Sequence, residues 1–236
     1  MKTSGKIQDL YTKRALNYES LYVNRLGWGK ELDAFFHNSN YLQTSLKILD
    51  AGCGTGVITR TLNKIAEEKG YKGLVFHAFD LTQGMLDIFQ KQITEKGLKN
   101  VELEQADVLK PNSLPSNWNE YDLIISSALL EYIPKEQIIN ALSNLRQLLK
   151  DGGTLLIFIT RRNFVSSLAS KLWWKTNLFE EDKFLAILQN VGFNKVEQRN
   201  LPSCGRSTLW YLKLAIDIFL DQENIVEQSF NMKKLI

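Results

Sequence analysis

The chain has 236 residues, 44% of them hydrophobic and 23% charged, enough apolar side chain for one domain with a full core and too much for extensive disorder. Its formal charge is only +3 and its 29 lysines and arginines are spread along the chain, which speaks against nucleic acid as a partner, since that partner calls for a focused basic stripe. Two cysteines, Cys53 and Cys204, indicate neither a disulfide framework nor a cysteine metal site, so no metal is expected and a reducing cytoplasm fits.

Residues 1–45 precede the first apolar run and carry Tyr11, Tyr18, Tyr22, Trp28, Phe35 and Phe36 among helix-forming residues, which predicts a helical cap over the strand ends. The opening Met1-Lys2-Thr3-Ser4-Gly5-Lys6 has none of the apolar core of a signal peptide. From Leu46 onward short apolar runs alternate with longer segments of helical spacing, the pattern of β-α-β units and a mostly parallel sheet. Strands are predicted at Lys47–Ala51, Leu74–Phe79, Val101–Gln105, Tyr121–Ser126, Thr154–Thr160, Lys195–Asn200 and Ser207–Leu214. Helices are predicted at Val57–Lys69, Gly84–Lys96, Lys135–Leu149 and Glu180–Val191, with Gly70, Gly97, Gly152-Gly153 and Gly192 just past their ends as caps. Residues 46–222 thus read as one α/β domain, with 161–179 an insertion between the fifth and sixth strands and 223–236 a polar tail. No apolar run has the length of a membrane span; Leu209–Leu220 is interrupted by Lys213 and Asp217 and reads as a buried strand or helix.

The first strand leads into Ile48-Leu49-Asp50-Ala51-Gly52-Cys53-Gly54-Thr55-Gly56, an apolar run that ends on a carboxylate and turns at once through three alternate glycines. Such spacing lets a strand turn sharply into a helix with bare backbone at the surface, where a ligand can approach without meeting a Cβ. A plain β-to-α turn without a ligand is the alternative. The dinucleotide fingerprint is G-x-G-x-x-G with its acid about twenty residues later. Here the spacing is G-x-G-x-G, and Asp50 stands two residues before the first glycine. A carboxylate at the mouth of the loop repels a pyrophosphate and suits a cation, and S-adenosylmethionine carries an ammonium and a sulfonium.

In open α/β sheets ligands sit outside the carboxyl ends of the strands, so the residues after each strand are the ones to inspect. After the second comes Asp80-Leu81-Thr82-Gln83-Gly84-Met85-Leu86. Asp80 can accept two hydrogen bonds from a ribose diol with Leu81 on the adenine face, or it can cap the next helix. After the third, Asp107 can accept from an adenine amino group while Val108 packs beside the ring. After the fourth, Ser126-Ser127-Ala128-Leu129-Leu130-Glu131-Tyr132 leaves room for the methionine part of a cofactor and for a substrate, with Glu131 and Tyr132 as the polar groups facing it.

With these residues in place the chain resembles a class I S-adenosylmethionine-dependent methyltransferase from about Leu46 to Thr160. The motifs are Leu49 to Gly56, Asp80 to Leu86, Ala106-Asp107-Val108, Tyr121-Asp122-Leu123-Ile124-Ile125 and Leu148 to Leu155, in that order. The resemblance implies a Rossmann-like α/β fold: a seven-stranded, mostly parallel sheet with helices on both faces, the last strand antiparallel beside the sixth, and an N-terminal helical lid. It implies that Asp50, Gly52, Cys53, Gly54 and Gly56, with Ser126, hold the methionine portion of the cofactor. The ribose falls to Asp80, with Leu81 and Met85 in the same motif, and the adenine to Asp107 and Val108. The likeness is nearest to the subgroup that methylates small molecules, quinone-biosynthesis enzymes included. Many of those have a histidine in the loop after strand four. This chain has only His37 and His77, and His77 reads as a packed strand residue.

The implied reaction is an in-line displacement at a methyl group, leaving S-adenosylhomocysteine, with geometry and water exclusion as the main contributions. Where the acceptor is a hydroxyl, Glu131 is the expected base, with Tyr132 or Tyr18 positioning it. The acceptor pocket is expected from the N-terminal cap and the 161–179 insertion, whose Phe164, Leu168, Leu172, Trp173, Trp174 and Phe179 stand among Arg161, Arg162, Lys171 and Lys175. That composition suits a hydrophobic acceptor bearing an acid, a peripheral contact with an anionic membrane, or one face of a helix packed on the sheet. Neither an Asn/Asp-Pro-Pro-aromatic tetrapeptide nor a nucleophilic cysteine follows strand four, which sets nucleic-acid bases aside as acceptors. A catalytically silent cofactor-binding protein and a nicotinamide-dependent oxidoreductase are the competing function classes.

Overall fold

A computed structural model describes residues 28–160, 177, 179–193, 195–200 and 216–221. The strands are β1 (Lys47–Ala51), β2 (Val75–Asp80), β3 (Val101–Gln105), β4 (Tyr121–Ser127), β5 (Leu149–Thr160), β6 (Val196–Asn200) and β7 (Ile216–Asp221). They lie in the order β3-β2-β1-β4-β5-β7-β6. Pairing is parallel from β3 through β5, and β7 runs antiparallel to both β5 and β6. The parallel sheet of five strands, covered by helices, is a Rossmann-like α/β fold. Its strand order reverses between β1 and β4, the point in open α/β sheets outside whose carboxyl ends ligands bind.

Among the described residues five helices cover the sheet: α1 (Trp28–His37), α2 (Val57–Lys69), α3 (Gln83–Lys96), α4 (Ile138–Leu148) and α5 (Glu181–Val191). On one face Leu32 and Phe36 of α1 and Ile58, Leu62 and Ile65 of α2 pack on Ile48, Leu123, Ile125 and Phe158. On the other, Ile138, Ala141, Leu142 and Leu145 of α4 and Phe184 and Leu188 of α5 pack on Leu49, Ile124 and Ile157. Alternation along β1, with Ile48 on one side and Leu49 on the other, shows a strand buried on both faces. Each large side chain so buried contributes about 1.5–3 kcal/mol. Lys64 of α2 bonds Asp33 of α1 at 2.6 Å, and α1 is the described part of the predicted cap.

Several predicted elements differ from those observed. The strand β2 begins and ends one residue later than predicted, which makes Asp80 its last residue. The predicted helix from Lys135 divides into a 3-10 turn, Lys135–Gln137, and α4, which stops at Leu148. The strand β5 begins at Leu149, so Gly152-Gly153 cap no helix; they lie in a bulge where Tyr121 pairs with Leu149 and Leu123 with Thr154. A Cβ on Gly153 would stand 2.7 Å from the carbonyl oxygen of Tyr121, and that close approach of two backbones is what requires glycine. The predicted strand Ser207–Leu214 lies outside the described residues, and β7 is formed by Ile216–Asp221. Residues 1–27, 161–176 and 222–236 are likewise outside them, and with them Tyr18, the insertion's tryptophans and the tail. Among the described residues no helix is long and apolar enough to cross a membrane.

Candidate active site

The loop from β1 to α2 uses its three glycines for three different purposes. All have positive φ, at +73, +54 and +77° for Gly52, Gly54 and Gly56. A Cβ on Gly56 would lie 2.2 Å from the Phe89 ring of α3, and one on Gly52 would lie 3.0 Å from Leu129, beyond β4. These two glycines serve packing, contrary to the reading of the whole loop as bare backbone open to a ligand. A Cβ on Gly54 would meet nothing within 4 Å. Gly54 alone of the three has open space where a Cβ would stand. The loop is seated by the Gly52 and Cys53 N–H groups, which both donate to the Phe79 carbonyl at 2.9 Å.

Two carboxylates hold this loop from beneath. Asp50 is 2% exposed and accepts from Thr59 on α2 through one oxygen, at 3.2 Å from the backbone N–H and 2.7 Å from the hydroxyl. It therefore lies under the loop, not at its mouth. Burial pushes its pKa up to about 6, against the two Thr59 bonds, with Asp80 adding like-charge repulsion. Asp80, at the end of β2, accepts from Gly54 N–H at 2.9 Å with one oxygen and from Thr82 N–H at 2.8 Å with the other. Thr82, not Asp80, is the N-cap residue of α3. Burial also raises Asp80, opposed by the Thr82 and Gly54 bonds. Neither acid pairs with a cation among the described residues. The thiol of Cys53 is raised well above its ordinary range by burial and by both acids, so it is inert.

The remaining predicted residues fall around these two acids. Leu81 is half-buried beside Asp80, and its carbonyl accepts from Gln105 at 3.1 Å. Met85 is buried in the first turn of α3. Asp107 is half-buried after β3, whereas Val108 is buried in the core against α4. Ser126 pairs with Ala51 across β1 and β4, and its hydroxyl is fully buried without a hydrogen-bond partner among the described residues. Ala128 takes φ +58° at the tip of β4, a strained conformation for a residue with a Cβ, and leads into the 3-10 turn Leu130–Tyr132. Glu131 on that turn is buried and Tyr132 half-buried. Asn177 clasps the turn, donating from its backbone to Glu131 O at 2.7 Å and from Nδ2 to Ile133 O at 2.6 Å. His77 lies away from the site, stacked on Trp118 at 4.4 Å and bonded to Tyr121 at 2.8 Å. Among the described residues no cluster of three or more His, Cys, Asp or Glu could hold a metal.

A family profile described as a methyltransferase domain matches residues 48–153. These residues are a class I S-adenosylmethionine-dependent methyltransferase domain. The chain is similar to aklanonic acid methyltransferase DauC of Streptomyces sp. (strain C5), 32% identical over 48% of this chain and 47% of that one. It is also similar to the ubiquinone/menaquinone biosynthesis C-methyltransferase UbiE of Wigglesworthia glossinidia brevipalpis, 30% identical over 66% of this chain and 60% of that one. The chain thus spans about half the length of these curated relatives. In fold it is similar to phosphoethanolamine N-methyltransferase 2 of Haemonchus contortus, solved with phosphomonomethylethanolamine and S-adenosylhomocysteine, with TM-score 0.71 and 17% identity over 95% of this chain and 61% of that one.

Three polar residues around the site were not read from the sequence. Thr59 carried a faint signal, a hydroxyl in the first turn of the helix that follows the loop. Asn144 and Asn177 carried none, because their carbonyl partners lie 36 and 44 residues away.

Proposed function

We propose that the chain transfers a methyl group from S-adenosylmethionine to a small, apolar or aromatic acceptor by in-line displacement. The observation that carries this reading is the buried, unpaired Asp50 carboxylate under the one open glycine of the loop. An acid pushed up to about 6 by desolvation is stabilised by a cation placed beside it. The orphaned Ser126 hydroxyl and the open face of Gly54 are what a site for such a ligand would leave in the free protein.

In this reading Asp50, Gly52, Cys53, Gly54, Gly56 and Ser126 surround the charged methionine end. Asp80, with one oxygen on Gly54 and one on Thr82, keeps lone pairs for the ribose diol. Asp107 accepts from the adenine amino group, with Leu81, Met85 and Val108 as apolar surroundings. When bound, the cofactor supplies a methyl on a sulfonium, a good leaving group. The chain's own contribution is to orient the acceptor and exclude water, effects worth several kcal/mol of barrier. Glu131 is the base that removes an acceptor proton and Tyr132 its neighbour on the same turn. The 161–179 insertion is proposed as part of the acceptor pocket, with a membrane surface as its alternative contact.

The test is calorimetric titration with S-adenosylhomocysteine, followed by a screen of phenols, quinone precursors, carboxylic acids and amines for S-adenosylhomocysteine release. The reading expects binding, turnover with at least one class, and a strong loss of turnover in Glu131→Gln at unchanged affinity. Binding without any transfer would identify a silent cofactor-binding protein. Preference for a nicotinamide cofactor would overturn the reading.

A further inference from the structure

Beyond β3 the chain turns tightly from Ala106 to Ser113. Asp107 Oδ1 accepts from Leu109 N–H at 3.0 Å, and Ser113 Oγ accepts from Asp107 N–H at 3.1 Å and donates to the Lys110 carbonyl at 2.7 Å. These bonds are local. They fix the shape of the turn and leave its placement against the helix layer undetermined.

Placement comes from Asn144. Its Nδ2 donates to the Val108 carbonyl at 2.8 Å, from α4 to the residue beside Asp107. Both residues are buried, at 8% and 6% exposure. Asn144 interrupts an otherwise apolar face of α4, formed by Ile138, Ala141, Leu142 and Leu145. A leucine would pack there without desolvating an amide, so an asparagine at this position is accounted for by the carbonyl it meets. Phe79, Asp107, Val108, Asn144 and Leu145 line a small hollow at the same junction.

We propose that Asn144 is a positioning residue for adenine recognition: by holding the Val108 carbonyl, it sets the direction from which the Asp107 carboxylate meets the exocyclic amino group. This rests on the cofactor reading above and goes beyond it, because it makes selectivity for that amino group depend on the helix behind the turn. A residue of merely structural importance would change stability and leave selectivity alone.

The experiment displaces bound S-adenosylhomocysteine with adenosine or with purine riboside, the same nucleoside without the amino group. Wild type is compared with Asn144→Leu, Asn144→Asp and a core control on α5, Leu188→Ala. A hydrogen bond to a carboxylate predicts that wild type prefers adenosine by about 10- to 100-fold. Leu188→Ala should keep that preference, and the Asn144 variants should reduce it to within about threefold. An Asn144 variant that still binds S-adenosylhomocysteine with the wild-type preference overturns the inference. Equal binding of the two nucleosides by wild type also overturns it, while the methyltransferase reading stands. Failure of wild type to bind S-adenosylhomocysteine removes that reading and this inference together. Should Asn144→Leu not fold, Asn144→Asp, of the same shape, carries the comparison.

Discussion

Polar groups are buried at both ends of the parallel sheet, and the two ends treat them differently. Toward the amino ends of the strands, His77 bonds Tyr121 at 2.8 Å, approaches Glu102 at 3.6 Å and stacks on Trp118, while Lys47 stands 5.0 Å from the Tyr121 ring centroid. Burial lowers the His77 pKa and raises that of Tyr121, so both stay neutral and bonded to each other. At the carboxyl ends, the Ser126 and Thr55 hydroxyls are buried without partners among the described residues, and Asp50 is held there as an acid without a cation among them. A satisfied polar cluster stabilises the fold. An unsatisfied one costs stability, which is what a site awaiting a ligand does.

The largest effects come from the loop itself. In Gly56→Ala the new methyl collides with Phe89 at a backbone φ that L residues rarely adopt. Overpacking and strain together should cost about 2–4 kcal/mol, measurable as a lower denaturation midpoint. Gly54→Ala carries the strain alone, about 1–2 kcal/mol, and should still fold. Its expected defect is in titration with S-adenosylhomocysteine, where the methyl fills the open face of the loop. If Gly54→Ala binds normally, ligand approach over the loop is ruled out.

Asp50→Asn comes next, and its two effects have opposite signs. The folded chain keeps the Asp50 proton to higher pH than the unfolded chain does. The contribution to stability is therefore fully present below pH 3.8 and is lost as pH rises through about 6. A difference of that size corresponds to about 3 kcal/mol, so Asp50→Asn should melt higher than wild type at pH 8 and gain little at pH 4. Affinity for S-adenosylhomocysteine should fall at pH 8. In wild type it should weaken below about pH 6, where the carboxylate is protonated before the ligand arrives. Equal melting of the two proteins at pH 8 would mean that Asp50 is not a strained group.

The positions set by chain-local pattern could be read from the sequence. Asp50 and Asp80 end apolar runs and flank glycine or a helix start, so their place at strand ends followed from pattern alone. Roles set by packing could not be read. Gly56 looks the same as Gly54 in the sequence, and Phe89, which separates their roles, belongs to the next helix. Gly152-Gly153 read as the cap of a helix ending at Leu149, and only the pairing of Leu149 with Tyr121 shows that the strand has already begun. Thr59 could be guessed from its place in the first turn, whereas Asn144 answers a carbonyl that only the folded chain brings near.

The smallest predicted effects separate the two ends of the sheet most cleanly. Tyr121→Phe removes the hydroxyl from a buried imidazole, so it should cost about 1–2 kcal/mol and leave S-adenosylhomocysteine affinity unchanged. Ser126→Ala removes a hydroxyl that has no partner among the described residues, so the free protein should lose nothing and gain up to about 1 kcal/mol. If that hydroxyl is held in reserve for the ligand, affinity should fall by about three- to tenfold. Neither result alone is decisive, since many substitutions move stability or affinity a little. The crossed pattern is: stability lost without affinity at Tyr121, affinity lost without stability at Ser126. It requires that one end of the sheet be complete in the free protein and the other be completed by its ligand.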